Sequence, residues 1–362
     1  MKRVILICAH RRGRSPSQRY RFEQYLEYLA TQGFDFTFAN LLSEKEDLVF
    51  YAKGHLLQKM VIIVKTLLQR KKELQHIRNY DLVFIQRESN FLGSTFFERG
   101  LKKKGIPFIF DFDDSIWLAD TSPGNKKWEW LKVPDKLFTT AELANLVIAG
   151  NRYLAEKVRD ANKQVVIIPT SIDTEIHRPV PALRNTDTVV IGWSGSISTI
   201  KHFNSLVPVL KQIQQKYKTG VLFRLLADKA YVHSELQVDS LIWSAETEVQ
   251  VLNSFDIGMM PLPDDEWSRG KCGLKGLSFM ACGVATVMSS VGVNVDIIKD
   301  KINGRLAVDE EDWLKILCEL IENKEERKRL GDAGRLRVEA RYSTTVLKPI
   351  YLECFKRALD SN

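Results

Sequence analysis

The stretch Val189-Val190-Ile191-Gly192-Trp193-Ser194-Gly195-Ser196 decides the fold class. Val189–Trp193 is a short apolar run with the length and composition of a buried strand. Small residues end it, and the apolar spacing then lengthens to a helical one over Ile200–Tyr217. A buried strand, a turn of small residues and a helix form the repeating unit of a parallel sheet. Backbone N–H groups in such a turn lie open to an anion, and the helix behind adds the positive end of its dipole. Lys201 falls in the first turn of that helix, where a cation is unfavourable unless an anion compensates it. An ordinary strand-to-helix turn is the alternative reading of the same residues.

The pattern continues on both sides. Downstream, Val221–Leu226, Ile257–Met260 and Ala285–Ser289 read as strands and Leu274–Cys282 as a short helix. Trp313 to Leu359 reads as helical with a break at Tyr342-Ser343. Upstream, Val4–Ala9, Phe34–Ala39, Leu82–Gln86, Ile106–Phe110, Leu146–Ala149 and Val165–Ile168 read as strands. Ser15-Pro16-Ser17-Gln18 predicts a helix start, with Ser15 as N-cap and Gln18 closing a capping box. Pro169 to Asp173, then Pro179 and Pro181 among few apolar residues, predict a linker over 173–186. The expected fold is α/β: two Rossmann-like, doubly wound parallel-sheet domains, 1–172 and 187–342, facing across a ligand cleft.

Composition agrees with this. A length of 362 residues suits two domains, and 44% hydrophobic with 27% charged residues excludes a disordered or fibrous chain. The five cysteines form no CxxC pair and the six histidines do not cluster with them, so neither a disulfide framework nor a zinc site is expected. No apolar run reaches the ~18 residues of a membrane span. Val4–Ala9 after Met1-Lys2-Arg3 is too short for a signal peptide, so a cytoplasmic protein is expected.

The net charge of +8 is uneven: residues 1–172 carry 28 basic and 19 acidic side chains, residues 173–362 carry 25 and 26. A basic half is expected to meet an anionic surface. Segment 56–72 sets Leu56, Leu57, Met60, Val61, Ile63, Val64, Leu67 and Leu68 beside Lys59, Lys65, Arg70, Lys71 and Lys72, and Lys102-Lys103-Lys104 with Arg11, Arg12 and Arg14 add to the field. That combination suits an anionic membrane surface, with packing of the apolar face on the sheet as the structural alternative. The aromatic-interleaved basic stripe of an RNA-binding sheet is not apparent, so no nucleic-acid partner is expected.

Two further segments carry chemistry. Trp267-Ser268-Arg269-Gly270-Lys271-Cys272-Gly273-Leu274-Lys275 places two glycines and three cations around the start of a short helix. Free amides, the helix dipole, Arg269 and Lys271 together can hold a diphosphate without a metal. Phe110-Asp111-Phe112-Asp113-Asp114-Ser115 sets three carboxylates at a strand end. They repel one another unless a cation, a base role or hydrogen-bond donors stabilise them. Capping of the next helix by Asp113 or Asp114 is the plain alternative.

With those segments placed, the chain resembles the glycosyltransferases of the GT-B fold, and among them glycosyltransferase family 4, group 1. Val166-Ile167-Ile168-Pro169-Thr170-Ser171-Ile172-Asp173, Ile191–Ser196, Asp256–Pro261 and Arg269–Gly283 carry the resemblance, which covers nearly the whole chain. It implies transfer of a sugar from a nucleotide-diphosphate donor to a glycan or lipid-linked acceptor. It also implies retention of configuration, no required cofactor or metal, and a place in cell-surface polysaccharide or glycoconjugate synthesis. The charge asymmetry and segment 56–72 add the expectation that this work is done at the inner membrane face. By resemblance, Arg269, Lys271 and Lys201 neutralise the diphosphate, with Ser194, Gly195 and Ser196 nearby. The amides of Cys272, Gly273 and Leu274 border the donor sugar, and Trp243 and Ser244 lie near the base. Asp113 stands where many relatives carry a His beside the reacting sugar, and the last helix, 344–359, crosses back to the first domain. The family's paired glutamates fall at Gly270 and Ser278, eight residues apart, so both are missing. A catalytically degenerate sugar-nucleotide-binding scaffold is therefore one alternative. A Mg-dependent haloacid-dehalogenase-type phosphohydrolase, with Asp111 as nucleophile and Asp113 as acid/base, is a second. The metal-binding Asp-x-Asp of GT-A glycosyltransferases is a third.

Overall fold

The computed structural model describes residues 1–118, 133, 135–180, 183 and 187–361, so Pro181 of the expected linker lies outside the described residues. The chain forms two compact units, Met1–Thr170 together with Leu347–Asn362, and Ser171–Val346.

The first unit is built on a parallel sheet of β1 (Lys2–Cys8), β2 (Phe34–Asn40), β3 (Leu82–Gln86), β4 (Phe108–Phe112), β5 (Leu146–Ala149) and β6 (Val165–Ile167), in the order β2-β1-β3-β4-β5-β6. β3, β4 and β5 are buried along their whole length, which is why they read as unbroken apolar runs. The helix Thr344–Asp360 contributes Leu347, Tyr351, Cys354 and Phe355 to this unit's core. Tyr351 stacks on Tyr25 at 4.2 Å between ring centroids, and Phe355 meets Phe34 edge-on at 5.4 Å. Such ring pairs add about 0.5–1.5 kcal/mol each beyond the area they bury.

The second unit holds β7 (Val189–Gly195), β8 (Val221–Ala227), β9 (Val238–Ile242), β10 (Ile257–Met260), β11 (Ala285–Ser289) and β12 (Arg305–Ala307), in the parallel order β12-β11-β10-β7-β8-β9. β7 leads to β8 on one side and pairs with β10 on the other, so the strand order reverses at the β7–β10 boundary. In open parallel sheets ligands bind outside the strand ends at such a reversal. Ile191, Trp193, Phe203, Leu225, Ile257, Val287, Trp313 and Leu317 form the core beneath it.

The structure corrects several local expectations. The capping box at Ser15 does not form: Ser15 precedes the helix Pro16–Arg21 without a side-chain bond to it. Gln18 is buried instead, its side-chain amide accepting from the His10 N–H and donating to the His10 C=O, because those half-buried groups lie past the end of β1 and lack a strand partner. The helix expected over Ile200–Tyr217 is two, Ile200–Asn204 and Val207–Tyr217. Pro208 explains the break, since its ring clashes with the carbonyl four residues back, at Asn204. The strand expected over Ile106–Phe110 is shifted to Phe108–Phe112, which draws Asp111 into the sheet. The helical tail has an added break at Asn323, whose side chain caps the helix Lys324–Arg341.

Candidate active site

In the second unit β7 runs two residues beyond the apolar stretch, so Ser194 and Gly195 are strand residues paired with Leu226 and Ala227 of β8. Ser196 begins the turn, its hydroxyl 2.7 Å from that of Ser198. The amide of Ile197 already donates to the Asp228 carboxylate at 2.6 Å. This turn therefore offers fewer free amides than the sequence pattern predicts, and the helix behind it is only five residues long. Lys201 lies exposed on that helix, beside the buried His202.

The loop after β10 supplies what that turn lacks. Asp265 caps the short helix Glu266–Arg269 by accepting from the Ser268 amide at 2.7 Å. Arg269 pairs with Asp264 at 2.8 Å. Lys271 extends over the Trp267 ring, 4.5 Å from its centroid. Cys272 is buried, and Gly273 stands at φ +72°, where a side chain is strained, before the helix Leu274–Ala281. No side chain caps this helix, so its first amides and its dipole face outward from Gly273 and Leu274.

The two loops meet. Lys275, in the first turn of that helix, places Nζ 4.4 Å from the Trp193 ring centroid and 3.3 Å from Thr199 Oγ1. Burial and then the neighbouring Lys271 pull its pKa down to about 7. Burial, followed by Lys275, Lys201 and Lys271, pushes His202 down to about 4, with Asp265 opposing. Four basic side chains, Lys201, His202, Lys271 and Lys275, thus gather at the strand-order reversal. Lys275 and His202 were not singled out from the sequence. The signal for Lys275 was a third cation set in the first turn of the helix that follows Gly273, where the dipole disfavours one.

Trp243 and Ser244 follow β9, the edge strand, rather than the strands at the reversal. Trp243 packs with Leu226, Leu252 and Phe255, and Ser244 Oγ lies 2.9 Å from Thr247 Oγ1. Neither position of the missing glutamate pair carries a carboxylate, and Ser278 turns back to donate to the Leu274 carbonyl at 3.0 Å.

In the first unit the acidic cluster divides by depth. Asp111 is fully buried in β4 and pairs with the equally buried Arg21 at 2.6 Å. Burial alone would lower the Arg21 pKa, and the Asp111 carboxylate reverses this, so Arg21 stays charged. A carboxylate so enclosed has no access to a phosphate, which removes the nucleophile role for Asp111. Asp113 lies beyond the end of β4, where its Oδ1 accepts from Ser17 Oγ and Arg87 Nε, both at 2.7 Å. Burial raises the Asp113 carboxyl, and Arg87, Arg21 and Ser17 more than offset it, leaving it below the ordinary carboxylate range. Asp113 is thus an ionised, firmly held carboxylate, suited to facing a developing positive charge rather than to accepting a proton. Arg87 itself sits at φ +61°, a strained conformation for a long side chain, and also reaches Asp114 at 3.5 Å. Among the described residues no group of three or more His, Cys, Asp or Glu is placed to hold a metal ion.

The helix Leu56–Gln75 presents Leu56, Leu57, Met60, Val61, Val64 and Leu68 to solvent. Two of its cations do not join them. Lys59 turns inward to the Ala52 carbonyl at 2.6 Å, and Arg70 is buried against the carbonyls of Cys8, Ala39 and Ser89. Lys65 pairs with Glu46, while Lys71, Lys72, Lys102 and Lys103 are exposed. Among the described residues no helix is long and apolar enough to cross a membrane.

Comparison with known proteins defines the class. The profile of the family described as Glycosyl transferases group 1 matches residues 188–323. Sucrose-phosphate synthase from Thermosynechococcus elongatus has a similar structure, with a TM-score of 0.75 at 14% identity over 100% of both chains. HepE from Anabaena, solved in complex with UDP and glucose, gives 0.64 at 15% identity over 98% of this chain and 99% of its own. A glycosyltransferase from Rickettsia africae gives 0.67 at 12% over 100% and 99%. No curated protein sequence matches the chain. The fold is that of the GT-B glycosyltransferases. The chain is a glycosyltransferase whose second unit carries the Glycosyl transferases group 1 domain.

Proposed function

We propose that the enzyme takes its sugar from a nucleoside diphosphate and passes it, with retention and without a metal, to a glycan or lipid-linked acceptor. The observation that carries this reading is the meeting of Lys201, Lys271 and Lys275 with an uncapped helix start at the β7–β10 reversal. A diphosphate leaving group gains negative charge as the glycosidic bond breaks, and fixed cations and helix amides stabilise that charge. Gly273 and Leu274 border the sugar, and Trp243 and Ser244 border the base. Asp113 stabilises the positive charge of the oxocarbenium-like state. The complex of HepE with UDP-glucose supports a nucleotide-sugar donor.

Thermal shifts with UDP, GDP, ADP, CMP and dTDP, each with EDTA and with Mg²⁺, test this. A stabilising shift with one nucleoside diphosphate in EDTA is expected. A shift that needs Mg²⁺ would refute metal independence, and none with any of them would refute the donor site. Asp113→Asn is expected to lower turnover at least ~10²-fold with nucleotide binding kept; unchanged turnover would remove Asp113 from the chemistry.

The enzyme works in cell-surface glycan synthesis at the inner membrane face; the exposed apolar stripe of Leu56–Gln75, flanked by Lys71 and Lys72, supports contact with an anionic membrane surface. Co-sedimentation with anionic liposomes at low salt is expected and should fall when Leu57 and Val61 become Ser; absence of sedimentation by the parent protein would sink the membrane role.

A further inference from the structure

We propose that Lys275 is a donor-binding residue whose ammonium pairs with the diphosphate of the nucleotide sugar. The proposal rests on the donor-site reading above and adds to it a charge that the family resemblance does not supply.

The geometry is that of a cation kept for an absent anion. Lys275 lies in the first turn of Leu274–Ala281, where the helix dipole disfavours a cation. Lys271, Lys201 and His202 are the basic groups around it, and Asp265, the acidic group facing His202, is engaged in capping at Ser268. Among the described residues Lys275 makes no ion pair with a carboxylate. Its neighbours are the Trp193 ring face and the Thr199 hydroxyl. An aromatic face and a single hydroxyl compensate a cation only in part. An ammonium has three N–H donors, and only one is taken by a hydroxyl here.

The strand end is shaped around this side chain. A Cβ built on Gly195 would stand 2.6 Å from Lys275 Nζ and 2.4 Å from the Trp193 ring, so any other residue would push the ammonium away. The side chain is only partly buried, so an anion at the ends of β7 and β10 can reach it. Arg269 is already held by Asp264, which makes the lysines the main source of charge for a diphosphate. Lys275 held low in pKa supports this, because a bound diphosphate is the partner that restores its full charge.

Isothermal titration calorimetry with UDP, GDP and ADP, and with uridine, guanosine and adenosine as controls, tests the proposal on wild type, K275M, K275R and K271A. For the nucleotide that wild type binds, K275M is expected to lose affinity at least tenfold, with nucleoside affinity unchanged. K275R, which keeps the charge, should stay within about threefold of wild type. Wild-type diphosphate affinity in K275M would overturn the proposal, as would a parallel loss of nucleoside and diphosphate binding, which marks a structural role. If K271A weakens diphosphate binding and K275M does not, this inference alone falls. If wild type binds none of the three diphosphates, the donor-site reading falls with it.

Discussion

A lysine built to receive an anion should burden the protein while no anion is present. Replacing Lys275 by Met is therefore expected to raise the stability of the unliganded enzyme. The ordinary lysine pKa of 10.5 falls to about 7 at this position. A folded-state value below the unfolded one means that the unfolded chain binds the proton more readily across the interval between them. The penalty is fully present below pH 7 and is relieved as pH rises toward 10.5. Taken whole, the difference corresponds to at most ~5 kcal/mol. Water reaching this partly exposed side chain screens it, which leaves ~1–2 kcal/mol. The lost contact with Trp193 takes away about 0.5–1 kcal/mol, and a methionine sulfur against the same ring returns a similar amount. K275M should thus melt ~2–8 °C above wild type at pH 6.5, with the gap narrowing by pH 9.5. Differential scanning calorimetry of both proteins without nucleotide at pH 6.5, 8 and 9.5 measures it. A variant less stable than wild type at pH 6.5, or a gap that does not change with pH, would refute the reasoning.

Asp111→Asn leaves the buried Arg21 guanidinium without its counter-charge, and the first unit should lose ~3–5 kcal/mol; a urea midpoint within error of wild type would contradict the pairing. Gly195→Ala drives a methyl group into Trp193 and Lys275, so about 1–3 kcal/mol of stability should go together with nucleoside diphosphate affinity; calorimetry showing both unchanged would mean that the strand end has room to spare. Arg87→Lys keeps the charge beside Asp113 but not the guanidinium geometry, so turnover should fall with nucleotide affinity unchanged, and wild-type turnover would show that Asp113 needs no such clamp.

Much of the architecture was open to reading because parallel strands buried on both faces leave apolar runs that nothing else in the chain imitates. β2, β3, β5, β10 and β11 lie where Phe34, Leu82, Leu146, Ile257 and Ala285 begin such runs. β12, three residues long and containing Arg305, leaves no such trace. The break at Asn204 was written in Pro208 but hidden by the continuous helical spacing around it. For the site, Gly273, Lys271 and the small residues after Trp193 marked two loops, and the Lys275 contacts with Trp193 and Thr199 join them. What sequence did not reveal was depth. Asp111 and Asp113 are two residues apart, yet one is sealed by Arg21 and the other stands at the strand end under Arg87 and Ser17. That division depends on partners 90 and 26 residues away, beyond any local pattern.

The helix Thr344–Asp360 gives Tyr351 and Phe355 to a core otherwise made from the first half of the chain. During synthesis the first unit emerges from the ribosome long before these residues do. Until they arrive, Tyr25, Phe34 and Phe84 lack the rings that cover them. The second unit lies wholly within the intervening chain and can close as soon as Val346 is out. The nascent protein is thus expected to complete its units in reverse of their order of translation, with an apolar surface for chaperones to shield in the interval.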